Sequence, residues 1–206
     1  MRYLKTFESH KNNKILIIVD VQKSFSKFFT NNYVKAVKKY SEKFNSVYQI
    51  FDNHVDGKNP DKEYLYDDEP EVKDDHKDLY EFKNQKDVIE KRYRYNVNVD
   101  FFKKILNKDV FNKIKEKEDN KQLNRGEMFP TTEGNHIVYV GNNHAWFDIP
   151  KKLYNLFIEL KGQEVVIIGG ADNECIMDII TAAKSLGVNV IENKDYIYSA
   201  KNCPIK

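Results

Sequence analysis

The sequence predicts an α/β fold, a three-layer α/β/α domain with a mostly parallel central sheet occupying 1–206. Two observations lead there. Residues 14–20 (KILIIVD) and 164–170 (EVVIIGG) are short β-branched runs, apolar on both faces, as in strands buried inside a helix-covered parallel sheet. Helical patterns alternate with such runs, which is the signature of an open α/β sheet. The 206 residues also suffice to bury a core without disulfides or a structural metal.

In chain order, the first strand ends in Asp20. A helix is expected over 32–44, with Val34, Val37, Tyr40 and Phe44 on one face. Weaker strands are expected at 46–52 (SVYQIFD), 87–93 (DVIEKRY) and 136–141 (HIVYVG). A second helix over 150–161 carries Leu153, Phe157 and Leu160, opened by Asp148 and Pro150 and closed by Gly162. The strand at 164–170 leads into a helix over 174–186 that ends at Gly187, and 188–192 (VNVIE) reads as a third buried strand. Two stretches read as loop insertions. Residues 56–86 are polar, acidic in the middle and carry two prolines, and 107–134 reads as a solvated helix followed by a loop. Insertions of this length suggest lids or disordered segments.

Composition narrows the function classes. A formal charge of +2 excludes a whole-chain basic field for gripping nucleic acid, and suits a small uncharged substrate that needs no steering. Thirty Lys against four Arg leaves few bidentate sites for phosphate or carboxylate. The 13 Tyr and 13 Phe accompany no basic stripe, so they are not a base-stacking platform. No run approaches the roughly 18 apolar residues of a membrane span. The first fourteen residues hold no secretory apolar core. Cys175 and Cys203 cannot make a disulfide framework. The expectation is a cytoplasmic protein with no membrane partner.

Sites in such sheets form at the carboxyl ends of strands, so Asp20 and the turn 169–175 (GGADNEC) should share one rim. Cys175 opens a helix there. Unpaired N–H groups and the helix dipole would lower its pKa and could bind an oxyanion. Asp52 and His54, two apart at a strand end, point the same way and can share an ion.

Two motifs resemble the isochorismatase-like cysteine hydrolases, the superfamily that includes nicotinamidases. LIIVDVQKSF (16–25) is similar to the family's first strand with its Asp-x-Gln-x-x-Phe. VVIIGGADNECIMDIITAAKSLGVNV (165–190) is similar to its nucleophile strand, turn and helix almost throughout. The resemblance implies the isochorismatase-like hydrolase fold and a Cys175–Asp20–Lys triad that cleaves a small amide through a thioester. It implies an oxyanion hole at the N–H groups of Ala171 and Cys175, with a cis peptide between Gly170 and Ala171, and substrate contacts from Phe25 and Gln22. Two frames locate the lysine. Lys91 fits the strand-then-Lys form. The alternative aligns 136–147 without a gap, putting Val140 or Gly141 where the lysine belongs and His144 and Trp146 near the pocket. Lys91 is the favoured frame, and a member lacking the lysine would be non-catalytic.

Asp52 and His54 resemble the nicotinamidase Asp-x-His, which implies a divalent metal (zinc, iron or manganese) with His76 as third ligand. The implied reaction is nicotinamide to nicotinate plus ammonia. The alternatives are a metal-free cysteine hydrolase of another small amide or carbamoyl compound, or a non-catalytic member. Family members commonly pair across helices, which implies a homo-oligomer.

Overall fold

The computed structural model describes residues 14–52, 78–94, 99–141, 145–172, 174–199 and 201–205. β1 (Ile15–Val19) is buried along its whole length, lying between parallel neighbours β2 (Ser46–Asp52) and β7 (Glu164–Gly169). β3 (Gln85–Arg94) extends the parallel sheet beyond β2, and β8 (Asn189–Ile197) extends it beyond β7. Alternate β1 side chains serve opposite faces. Ile15, Ile17 and Val19 pack with residues of α3 (Lys151–Glu159) and α4 (Cys175–Ser185). Leu16 and Ile18 pack with Tyr33, Val34 and Val37 of α1 (Asn31–Ser41). Helices therefore cover both faces of a mostly parallel sheet, which is why β1 can be apolar throughout.

The helices begin where local chemistry allows. The Thr30 hydroxyl accepts the Tyr33 N–H at 3.1 Å and caps α1. Pro150 occupies the cap of α3, and Leu153, Leu156 and Phe157 are its buried face. α1 stops at Ser41, short of the expected 44, while Phe44 still reaches the core at 6% exposure.

Three features depart from the expected elements. β3 changes partner along its length: residues 85–91 pair in parallel with β2, whereas Arg92, Tyr93 and Arg94 pair antiparallel with β6 (Ala145–Ile149). With β4 (Met128–Pro130) and β5 (His136–Gly141), β6 forms an antiparallel extension. The described strands run in the order β4-β5-β6-β3-β2-β1-β7-β8. The 107–134 stretch does hold a helix, α2 (Lys108–Asp119), capped by Asn107 at the Val110 N–H. It is only partly solvated, because Phe111 and Ile114 join Phe102, Leu106, Phe129, Ile137 and Trp146 in a separate apolar cluster. β8 runs to Ile197, beyond the expected 192. As a sheet edge with a single neighbour it tolerates Glu192, Asn193 and Lys194.

A stability series tests this core. Ile17→Ala, at a fully buried position, should cost about 2–5 kcal/mol in chemical denaturation. Ile158→Ala, at a position 44% exposed, should stay within about 0.5 kcal/mol of the parent.

Candidate active site

Strand register assembles the site. Val19 lies opposite Ile50 on one side and Gly169 on the other, and Asp52 lies opposite Lys91. The carboxyl ends of β1, β2, β3 and β7 are therefore level, bringing Asp20, Asp52, Lys91 and the turn before Cys175 to one rim.

Asp20 adopts a positive φ of 53°, uncommon for a residue with a side chain. Two hydrogen bonds hold it there. Its N–H donates to the Ile50 carbonyl at 2.9 Å, and its carbonyl accepts the Tyr198 hydroxyl at 2.7 Å. Tyr198, 1% exposed, also takes the Asp172 N–H on its backbone carbonyl, so it ties the Asp20 strand end to the turn before Cys175. Glycine is required at both residues entering that turn. A Cβ on Gly169, at φ 113°, would strike the Val19 carbonyl, and one on Gly170 would strike the Tyr198 ring. The Gly170–Ala171 peptide is cis.

The Lys91 ammonium is wholly buried, 2.9 Å from Asp20 Oδ2 and 3.4 Å from Asp52 Oδ2. Burial alone would favour the neutral amine, but the two carboxylates outweigh it and hold Lys91 above its usual pKa. Burial pushes the Asp20 carboxyl up to about 7. Lys91 restrains the rise, Asp52 adds to it, and the neighbouring Cys175 thiol lowers it slightly. Burial also pushes the Cys175 thiol up, with Lys91 opposing and Asp20, Asp52 and Asp178 assisting. Burial and three carboxylates thus act against the lowering expected at a helix start. At rest the site holds a neutral thiol, with Asp20 paired to Lys91.

Gln22 is wholly buried and its amide is committed to the scaffold. Its oxygen accepts the Asp52 N–H at 3.1 Å, and its nitrogen reaches the Asp52 carbonyl at 2.9 Å and Asp78 Oδ2 at 2.8 Å. Asp78 also receives the N–H and hydroxyl of Ser24, both at 2.7 Å. Gln22 therefore positions the end of β2, and no free amide remains to face a ligand. Phe25 sits in the apolar cluster of Phe29, Tyr33, Phe82 and Tyr198, against which Ala171 packs.

His54 and His76 lie outside the described residues, as does His144. Among the described residues, no group of three or more His, Cys, Asp or Glu side chains is placed to hold a metal. Asp52, the one described member of the expected ligand set, already engages Lys91. Two of the three residues of that set thus lie outside the described residues, and the third is paired with an ammonium.

The alternative lysine frame is separated from the site by topology. β5, which carries Val140, is divided from β1 by β6, β3 and β2. Trp146, 1% exposed, packs on Phe102 at 5.1 Å in the separate cluster rather than facing Cys175. Sequence reasoning missed Tyr198 and Asp78. Tyr198 follows the strand residues that could be read, and Asp78 stands in a polar stretch with no periodic signal.

The Tyr198 tie is testable. Tyr198→Phe should lose about 0.5–1.5 kcal/mol, the worth of its bond to Asp20. Gly170→Ala, which forces a methyl into the same ring, should cost more in the same urea titration. Comparison of the chain with protein-family models, with curated proteins and with solved structures finds no match.

Proposed function

We propose that this protein is an isochorismatase-like cysteine hydrolase of the nicotinamidase-like branch, cleaving a small amide to its acid and ammonia. One observation carries the reading: a wholly buried lysine 2.9 Å from an aspartate, on the same rim where a cysteine opens a helix. The two sequence motifs around Asp20 and Cys175 support it.

The electrostatics suit activation on demand. An isolated thiolate would add negative charge beside Asp20 and Asp52, so Cys175 rests protonated. As its sulfur attacks the amide carbon, the thiol proton passes to Asp20, and the net charge of the site does not change. Lys91 then faces a forming thiolate and a neutral carboxyl. The oxyanion is met by the N–H groups of Ala171 and Cys175. Ala171 donates its N–H to no backbone carbonyl among the described residues. The C–N bond breaks as Asp20 returns the proton to the leaving nitrogen, leaving a thioester on Cys175. Water then attacks, Asp20 takes its proton, the C–S bond breaks, and the acid leaves with the thiol restored.

A second reading is a metal-free hydrolase of another amide or carbamoyl compound. The engagement of Asp52 with Lys91 favours it. Zinc, iron or manganese that copurifies with the wild type and is lost in Asp52→Ala would favour the nicotinamide reaction instead.

Nicotinamide is the first substrate to assay. Ammonia release should fall about a thousandfold or more in Cys175→Ala and in Asp20→Ala. Absence of turnover with any small amide, together with an unreactive Cys175, overturns the hydrolase reading. Asp20 acts as base, so its carboxylate form is required. kcat/KM should fall about tenfold per pH unit below the Asp20 midpoint, which burial sets at about 7. Lys91 lowers that midpoint, so the residual activity of Lys91→Met should show its acid limb at higher pH.

A further inference from the structure

Among the described residues, Asp178 of α4 itself also bears on Cys175, beside Lys91, Asp20 and Asp52. Asp178 stands three residues after Cys175, on the same side of the helix, and is only 5% exposed. An uncompensated carboxylate there opposes any negative charge on the sulfur. Arg125 answers it from outside the sheet, with Nη2 2.6 Å from Asp178 Oδ1.

Arg125 belongs to a turn that three elements hold in place. Glu127 accepts Lys117 of α2 at 2.6 Å and the Asn124 side chain at 2.8 Å. The Gly126 N–H donates to the Tyr139 carbonyl of β5 at 2.7 Å, and the Glu127 carbonyl takes the Tyr139 N–H at 2.9 Å. Gly126, at φ 88°, lies so close to α4 that a Cβ would strike the Thr181 methyl. Thr181 is three residues beyond Asp178 on the same helix, so the turn bears on α4 at both positions.

We infer that Arg125 is a positioning residue for the nucleophile: the 124–127 turn braces α4 and neutralises Asp178, keeping Cys175 able to carry negative charge as it attacks. The inference rests on the proposed role of Cys175 as nucleophile. It gives the 107–134 insertion a task other than covering the site, which is to support the nucleophile helix from the side.

The test reads thiol chemistry rather than turnover, so its failure is distinguishable from failure of the hydrolase reading. Iodoacetamide alkylation of the full-length protein is followed peptide by peptide, with Cys203 as internal reference. In Arg125→Gln, Cys175 should react about three- to tenfold more slowly at a fixed pH, with its pH midpoint raised. Cys203 should be unaffected, and Arg125→Lys should restore most of the rate. Arg125→Gln/Asp178→Asn, which removes both charges, should return Cys175 to the parental rate or above. Two outcomes overturn the inference: an unchanged Cys175 rate in folded Arg125→Gln, or a double variant as slow as the single one.

Discussion

The arrangement depends on one buried ammonium. Lys91 has no exposed surface, and a lone charge in that position would lose its proton or destabilise the fold by several kcal/mol. Two carboxylates at 2.9 and 3.4 Å keep it charged, and each is supplied by a different strand end. The ion cluster is satisfied only when β1, β2 and β3 stand in their observed register. A slip of one residue would turn Lys91 to the opposite face of the sheet. The apolar core tolerates many such registers; the Asp20–Lys91–Asp52 cluster selects one.

The same cluster links fold to chemistry. With two acids and one base before Cys175 is counted, it carries a surplus negative charge, which keeps the thiol neutral. In the proposed reaction the thiol keeps its proton until attack, when Asp20 would receive it. Tyr198 and Gln22 take no part in proton movement. Tyr198 fixes the backbone of Asp20, and Gln22 fixes that of Asp52, so the carboxylates meet Lys91 without having to reorganise.

How much of this was legible in the sequence followed from where each residue finds its partners. Residues 15–19 and 164–169 were readable because burial on both faces leaves an uninterrupted apolar run. The outer part of β8 was not, because an edge strand carries polar residues such as Glu192 and Lys194 without penalty. β6 is five residues long and follows another strand closely, so its AWFDI gives no separate strand signal. The motifs around Asp20 and Cys175 are local and visible. Tyr198 bonds to a residue 178 positions earlier, and Arg125 to one 53 positions later. Such partnerships leave no periodicity. The 84 positions from Lys91 to Cys175 do not part them, because β5 and β6 add to the sheet edge beyond β3 and leave the central strands adjacent.

The pairing of β1 with β7 has a consequence for assembly. Ile15 lies beside Val165, so the middle of the sheet closes a loop of most of the chain. Loop closure on that scale is an entropic cost that must be met before the contact gives anything back. Asp20 emerges early in synthesis and Cys175 late, so the thiol meets the ion cluster only when α4 has docked. An incomplete chain thus carries an acid without its nucleophile. The candidate site can be completed only once the carboxyl-terminal third of the chain has been made.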